Sequence, residues 1–409
     1  MIEQSVPSKR DLLILGGGLV GMTLALAAAR KGLSSHLVDR ADPADVLDEG
    51  FDGRASAIST ASWRLFRHIG LADRLEPYGC PIEAIAVVDQ MKPGRIDFRP
   101  QPHEGSLGRM FANRQLRLAL HEAVRAEPLI ELHAPVTVSE RDAGEFVARA
   151  TLGDGTILEG DLLIGAEGRA SPTRGEAGLA VAQWDYRHRA IIAGLDHGKP
   201  HQGVAYEIFY PDGPFALLPL LDGEDGTHRS ALVWTVSEAD APGVLKMGER
   251  AFVAEVHARM GDMLGTIALN SGRSSYPLAF QHTARMVGQR MALVGDSAHG
   301  MHPIAGQGLN LGLRDVGALV EVLVEARRLG LDLGDAQVLS RYETWRALDA
   351  LMVMGATDTL TRLFGVPGKA ASAVRRLGMA GVQRSGLLKR WFMDEARGIT
   401  GDTPELLKA

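Results

Sequence analysis

The sequence is short of several things, and each shortage closes off a class of protein. One cysteine, Cys80, stands alone among 409 residues. An internal disulfide is therefore excluded, and the chain reads as one suited to a reducing compartment. Basic residues are outnumbered, 44 Lys and Arg against 50 Asp and Glu, and the net charge of −6 leaves no global footprint for nucleic acid. No internal repeat or low-complexity linker is present, and no metal site is assigned. One uncharged run, Leu12–Ala29, follows Lys9-Arg10 and imitates a secretion signal or a marginal membrane span. Asp11 interrupts its basic flank, and glycines 16, 17, 18 and 21 would weaken a spanning helix. The run therefore reads as neither.

What is present is ordinary in bulk and specific in detail. Apolar residues make up 45% and charged ones 23% of the chain, as in globular proteins generally. The length suits two domains, or one large domain with an excursion. The 48 glycines imply many tight turns and close backbone approaches.

The N-terminal pattern predicts a strand over Asp11–Leu15, a helix over Leu19–Lys31 and a strand over Ser35–Asp39, a βαβ unit. A helix is expected across Thr60–Leu75, short strands over Ile82–Asp89 and Ile96–Phe98, and a helix over Asn113–Ala126. Leu129 to Gly165 reads as a β-meander with a Gly153-Asp154-Gly155 turn. Runs at Ala190–Leu195, Gly203–Tyr210, Phe215–Leu220 and Ser230–Val236 predict an inserted antiparallel sheet. Glu249–Met260 reads as helix and Ser275–Phe280 as strand, and helices follow over Gly317–Arg328, Ala336–Phe364 and Ala370–Arg397. The expected class is α/β. A Rossmann-like nucleotide-binding domain is assembled from 1–75, 106–180 and 281–334. A β-sheet substrate domain comprises 76–105 and 181–280, and a helical region covers 335–409.

Gly16-Gly17-Gly18-Leu19-Val20-Gly21 is GxGxxG between a strand and a helix, the context the motif requires. Gly16 allows the tight turn, Gly18 lets a pyrophosphate approach the backbone, and Gly21 lets helix and strand pack closely. Asp39, eighteen residues after Gly21, ends the second strand where it can accept hydrogen bonds from an adenosine ribose. Its charge disfavours a 2′-phosphate there. The bland alternative is a glycine-rich turn without a ligand, and the motif alone does not separate FAD from NAD.

A second segment, Met291–Asp315, runs from an apolar strand into Gly295-Asp296 and then to a glycine pair, Gly306 and Gly308, that opens a helix. It offers a carboxylate for a polyol and a positive helix end for developing negative charge. Between the two lies Leu162–Arg174, a strand, a glycine turn (Gly165-Ala166-Glu167-Gly168) and a basic exit.

With these three elements the chain resembles the FAD-dependent aromatic hydroxylases of the para-hydroxybenzoate hydroxylase fold, and more narrowly the ubiquinone-biosynthesis hydroxylase family. The resemblance runs nearly end to end. It includes Asp52–Ser59, Asn113-Arg114-Gln115-Leu116, Ala298-His299, His302–Gly312, and a tail with Arg341-Tyr342, Arg346, Asp349, Met354, Thr357–Leu360 and Leu363-Phe364. It implies an FAD site formed by Gly16, Gly18, Leu19, Val20, Gly21, Asp39, Arg40, Arg54, Arg114, Glu167, Gly168, Asp296, Pro303, Gly306, Gln307, Gly308, Leu309 and Asn310. In that site Arg54 and Arg114 approach the ribityl-phosphate portion. Asp296 bonds the ribityl hydroxyls, and the Gly306–Gly308 turn faces the flavin pyrimidine ring. The bland readings are a helix cap for Asp296 and a surface ion pair for Arg54. Glu167 departs from the Asp usual in the family's middle motif, which bears on the nicotinamide donor.

By the same resemblance, NADH or NADPH reduces FAD without a Rossmann unit of its own. Oxygen then adds at flavin C4a, and the distal oxygen of that hydroperoxide passes to an electron-rich ring. The flavin carries the chemistry while the protein positions the ring and excludes water. His299 and His302, beside the flavin motif, are weak candidates for proton transfer, with a structural role as the alternative. The implied acceptor is a hydrophobic, prenylated aromatic. Other readings of the same motifs are a hydroxylase of small soluble phenols, an isoprenoid reductase, and a non-catalytic flavin-binding scaffold of a quinone-synthesis complex.

Tyr206, Phe215, Leu217, Pro219 and Trp234 are candidate pocket residues on the inserted sheet, with plain sheet core as the alternative. From Thr359 to Met393 there is no acid but seven basic residues, Arg362, Lys369, Arg375, Arg376, Arg384, Lys389 and Arg390, with Leu387, Leu388, Trp391 and Phe392 among the last. Such a stretch reads as a surface for an anionic membrane or for a partner complex, on a cytoplasmic protein peripheral to the inner face of the membrane. A helical cap with a solvated basic face is the alternative.

Overall fold

Buried apolar strands at the N-terminus set the first of two large sheets. The structure is a computed structural model that describes residues 8–48, 51–91, 95–101, 103–300, 306–365 and 381–409. Ser8–Leu15 lies at the centre of the first sheet, parallel to Ile157–Gly165 on one side and to Ser35–Val38 on the other. Met291–Leu293 continues one edge and Ile130–His133 the other, both parallel. A parallel sheet is covered on both faces and so draws on unbroken apolar runs. Leu12–Leu15, Leu162–Ile164 and Met291–Val294 are such runs, all buried. Helix Leu19–Arg30 packs against helix Gln307–Arg328, which places the two predicted ligand-binding helix starts side by side.

Two expectations in this half need correction. Ile130–His133 joins the parallel sheet, and the antiparallel meander begins only with Val138–Ala143, followed by Ala148–Leu152. The helix Asn113–Ala126 that precedes Ile130–His133 returns the chain as a crossover, which favours parallel entry. The Thr60–Leu75 helix divides into Thr60–His68 and Ala72–Leu75. Gly70 between them is left-handed at φ +77°, and the Leu71 N–H bonds Phe66 O at 2.8 Å, a Schellman closure.

The second sheet runs in the order His299–Gly300, Ser274–Thr283, Val181–His197, His228–Ser237, Gly213–Leu220, Val204–Tyr210, Ala84–Asp89 and Arg95–Phe98. It is mixed rather than purely antiparallel, because Val204–Tyr210 pairs in parallel with Ala84–Asp89. Those two strands come from separate excursions of the chain, so no hairpin sets their direction. One face of the sheet carries Ile191, Ala193, Leu195, Ile208, Phe215, Leu217, Leu232 and Trp234. It forms a core with Val244, Phe252, Val256 and Met260 of helices Ala241–Lys246 and Glu249–Met260. From the opposite face Ala205, Leu218, Leu220 and Ala231 pack with Ala55 and Ala57 of strand Ala55–Ser59 and with Met393. Helices Ala336–Gly365 and Gly386–Arg397 follow, and none of the described helices is long and apolar enough to cross a membrane.

Away from these contacts, His36, Glu131 and His133 gather at one edge of the first sheet with ligand-capable atoms within 4.8 Å of one another. A His36–His133 hydrogen bond of 3.1 Å and the Arg10–Glu131 ion pair of 3.2 Å account for that cluster.

Candidate cofactor site

The three segments singled out in the sequence, near 16–21, 165–174 and 295–312, interlock at the carboxyl ends of the parallel strands, the usual ligand side of such sheets. Gly16 has φ +110°, and a Cβ there would lie 2.4 Å from Ala166 O. A Cβ on Gly21 would lie 1.8 Å from Gly16 O, so the strand and helix approach only as glycines. A Cβ on Gly18, at the helix start, would meet nothing within 4 Å. The space in front of that first turn, whose N–H groups have no partner within the helix, is therefore open at Gly18. The Asp39 carboxylate accepts from the Gly17 N–H and, at 2.7 Å, from the Ala41 N–H. Two such bonds leave lone pairs over for ribose hydroxyls. Arg40 beside it is exposed, and Leu19 packs on the core.

Val20 ties this turn to the second segment, since Cβ atoms built on Gly295 and Gly312 would meet its side chain at 3.3 and 2.9 Å. Asp296 sits in a single 3-10 turn, Gly295–Ser297, where its half-exposed carboxylate pairs with Arg169 Nε at 3.3 Å. Ser297 Oγ accepts from the Gly168 N–H at 3.0 Å, and Arg174 donates to Ser297 O at 2.9 Å. Gly306 is left-handed at φ +63° and precedes helix Gln307–Arg328; a Cβ on it would touch the Ala57 side chain at 3.2 Å. Gly308 and Leu309 lie in the first turn of that helix. The Asn310 side chain accepts from the Ser59 N–H at 2.9 Å and donates to Ala57 O at 2.9 Å, which stitches the helix to strand Ala55–Ser59.

The same strand brings in the two arginines. Asn113 N–H bonds Arg54 O at 3.0 Å, which sets Arg114 next to Arg54. Arg54 also pairs with Asp52 at 3.7 Å, the bland reading in part. Arg114 Nε is buried with no hydrogen-bond partner among the described residues. Pro303 and His302 lie outside the described residues.

Two predicted residues are engaged within the protein. Glu167 pairs with Arg141 at 3.0 Å and accepts from Ser171 Oγ at 2.7 Å and from the Thr173 N–H at 3.0 Å. Its longer side chain clasps the turn that carries Gly168. His299 is buried, with Nε2 2.6 Å from Asp315 Oδ2; Asp315 Oδ1 in turn takes a 2.8 Å bond from Arg346 Nε. Asp315 also accepts the Gly295 N–H at 2.9 Å. Burial pushes the Asp315 carboxyl up, but His299 and Arg346 outweigh it and hold it below the usual carboxylate range. The His299 ring is thus one link in a buried network that fixes the Gly295-Asp296 turn.

The pocket candidates on the second sheet lie on its helix-packed face, which is the sheet-core alternative. Phe215, Leu217 and Trp234 fill the core against helices Ala241–Lys246 and Glu249–Met260, with Tyr206 packed on that core. Pro219 shares the alternation of Phe215 and Leu217. The opposite face turns toward the flavin-binding elements. Tyr276, paired with Ala190 on that face, lies within electrostatic reach of Arg169, Arg54 and Asp296, although burial is the largest influence raising its hydroxyl pKa. Sequence reasoning missed Tyr276 and Arg169; the basic residue right after Gly168 was the available signal for the second.

Residues 9–355 match a family model described as an FAD binding domain. The chain belongs to this family. It is 44% identical to a ubiquinone hydroxylase, UbiL, of Rhodospirillum rubrum, over 99% of this chain and 93% of the relative. It is 32% identical to the 3-demethoxyubiquinol 3-hydroxylase of Escherichia coli, over 95% of this chain and 98% of that one. Among solved structures, the p-nitrophenol 4-monooxygenase PnpA of Pseudomonas putida aligns with a TM-score of 0.78 at 18% identity, covering 97% of this chain and all of that one, a likeness of fold. The residues present fit FAD. The open cradle at Gly18 suits a pyrophosphate, and the orphaned Arg114 Nε lacks the acceptor that an anionic or polyol group would supply.

Proposed function

We propose that this protein is an FAD-dependent monooxygenase that hydroxylates the aromatic ring of a polyprenylated ubiquinone precursor, with NADH or NADPH as reductant. The observation that carries the reading is the meeting of three flavin-binding segments with an apolar sheet face, in a chain that aligns nearly end to end with ubiquinone hydroxylases. When bound and reduced, FAD supplies the activation of O2 that ring oxygenation needs.

The chain's own residues supply the rest. The Gly16–Gly21 turn and Asp39 would hold the adenosine end of FAD, and Asp296 with Arg169 would bind its polyol. The start of helix Gln307–Arg328 offers a positive dipole end that would stabilise negative charge on a reduced ring system held there. The face bearing Ala205, Leu218 and Ala231 excludes water from the acceptor ring and orients it.

The tail supports docking to an anionic membrane surface, from the cytoplasmic side. Helix Gly386–Arg397 packs inward through Phe392, whose ring lies 6.1 Å from Phe98, and through Met393. It turns Leu387, 86% exposed, and Trp391, 48% exposed, outward beside exposed Arg384 and Arg390. Lys369, Arg375 and Arg376 lie outside the described residues, and the side chains of Arg362 and Leu388 do also.

The deciding experiment is a quinone profile of cells lacking the protein, joined to NAD(P)H-dependent oxygen uptake by the purified holoenzyme. An accumulating prenylated precursor and a hydroxylated product are expected. An unchanged profile overturns the reading.

A further inference from the structure

Glu207 is the one acid in the strand Val204–Tyr210, and it is buried. No hydrogen bond or ion pair reaches its carboxyl group from the described residues. Burial alone pushes that carboxyl up to about 8, which favours its protonated form near neutral pH. Its neighbours on the same sheet face are apolar. Register places Val87 on one side and Ala216 on the other, with Val233 and Ile192 continuing the row. Ala205 and Phe209 flank it along the strand.

That row lies on the face turned to the flavin-binding elements. Ala205 packs with Ala55 and Ala57, and Ile192 shares its face with Ala190, the partner of Tyr276 beside Arg169 and Asp296. A carboxyl group without a partner is costly in such a place, where an apolar side chain would serve the fold better. A ligand that completes it offsets that cost. A neutral carboxyl both donates and accepts, as the hydroxyl, carbonyl or alkoxy oxygen of an aromatic ring requires.

We infer that Glu207 contacts the substrate, its carboxyl group hydrogen-bonding an oxygen on the aromatic ring and so fixing which ring edge is presented from the sheet. This inference rests on the proposed ring hydroxylation and adds a polar anchor to an otherwise apolar sheet face.

The test uses the FAD-loaded protein, as wild type, Glu207→Gln and Glu207→Leu. Two probes are compared, a prenylated phenol and the matching prenylated benzene that lacks the ring oxygen. Binding is read from the perturbation of the flavin spectrum, and turnover from hydroxylated product per NAD(P)H oxidised. Flavin content and melting temperature verify folding. Glu207→Leu is expected to weaken phenol binding by about 10- to 100-fold, to leave prenylbenzene binding unchanged and to lower the yield of product per reductant. Glu207→Gln, which keeps a donor and an acceptor, is expected to stay within about threefold of wild type. Equal loss of both probes, or no loss of the phenol, overturns the inference. Failure of the wild type to hydroxylate any prenylated phenol overturns the ring-hydroxylation reading instead.

Discussion

The two sheets differ in how openly they declare their working surfaces. In the parallel sheet both faces are buried, and ligands meet only the carboxyl ends of strands, where turns demand particular residues. In the mixed sheet both faces are also apolar, but one packs on helices and the other looks toward the flavin elements. A period of two tells the faces apart without telling which is which. A turn is written in residue type; the outlook of a face is written only in what the rest of the chain brings to it.

The largest effect should fall on the first kind of surface. Gly21→Val would place side-chain atoms against Gly16 O, which is 1.8 Å from an ideal Cβ, and both partners are backbone. We expect a destabilisation above about 4 kcal/mol and protein that purifies without flavin, read from the urea midpoint and the absorbance per polypeptide. Gly18→Ala meets open space and should fold normally while losing FAD affinity. A yellow, fully stable Gly21→Val protein would break the account of the turn.

Next come the two faces of the mixed sheet. Phe215→Ala empties a fully buried site in the helix-side core and should cost about 3–5 kcal/mol, with substrate affinity unchanged in what remains folded. Leu218→Ala, partly buried on the other face, should cost less stability and raise KM. Denaturation curves and steady-state kinetics on the pair decide it. If Phe215→Ala proves the KM variant, the assignment of faces is reversed.

The sequence read most of the parallel half correctly for a physical reason. Leu12–Leu15, Gly16–Gly21 and Asp39 are local patterns whose partners follow from the right-handed crossover. What it left illegible needed distant partners. Ile130–His133 is too short to show which sheet it joins, and Glu207 differs from a solvent-facing acid only through the burial that Ala216 and Val87 impose. His299 reads in the sequence only as a weak candidate for proton transfer beside a structural alternative, because Asp315, which pairs with it, and Arg346, which bonds Asp315, lie 16 and 47 positions further along.

That network can be broken on its own. Asp315→Asn removes the charge that His299 and Arg346 share, leaving Arg346 with Asp349 alone, and should cost about 3 kcal/mol at neutral pH. Because the native carboxyl is held below its ordinary value, its contribution is complete above the unfolded pKa and is lost as pH falls through the lower native value. The gap between wild type and Asp315→Asn should therefore close in acid. A constant gap would show that packing, not charge, is what the substitution removes.

Glu207 should behave in the opposite sense. Its native carboxyl is raised from about 4.5 to about 8 by burial, so between those values the unfolded chain binds fewer protons than the native one and stability falls as pH rises. Glu207→Gln removes that loss. We expect it to be more stable than wild type by a few kcal/mol at pH 8, on the order of a unit-by-unit conversion, with the gain shrinking toward pH 5. Thermal melts across that range measure it, and a gain over wild type no larger at pH 8 than at pH 5 would show that the carboxyl is solvated.

The smallest effect separates a residue that the motif assigns to the cofactor from the work its atoms do. Glu167 spans Arg141, Ser171 and the Thr173 N–H, holding the Gly168 turn to the start of helix Pro172–Glu176. Aspartate is one methylene shorter and cannot keep both the Arg141 pair and the helix contact, so Glu167→Asp should cost about 1 kcal/mol. Flavin stoichiometry should stay the same, because Ser297 and Arg174 still brace the turn from the other side. Calorimetry and flavin titration of the single variant read both quantities. A change in FAD affinity with no change in stability would move Glu167 from the clasp to the cofactor, and with it the line between what the parallel sheet states in residue type and what it leaves to its neighbours.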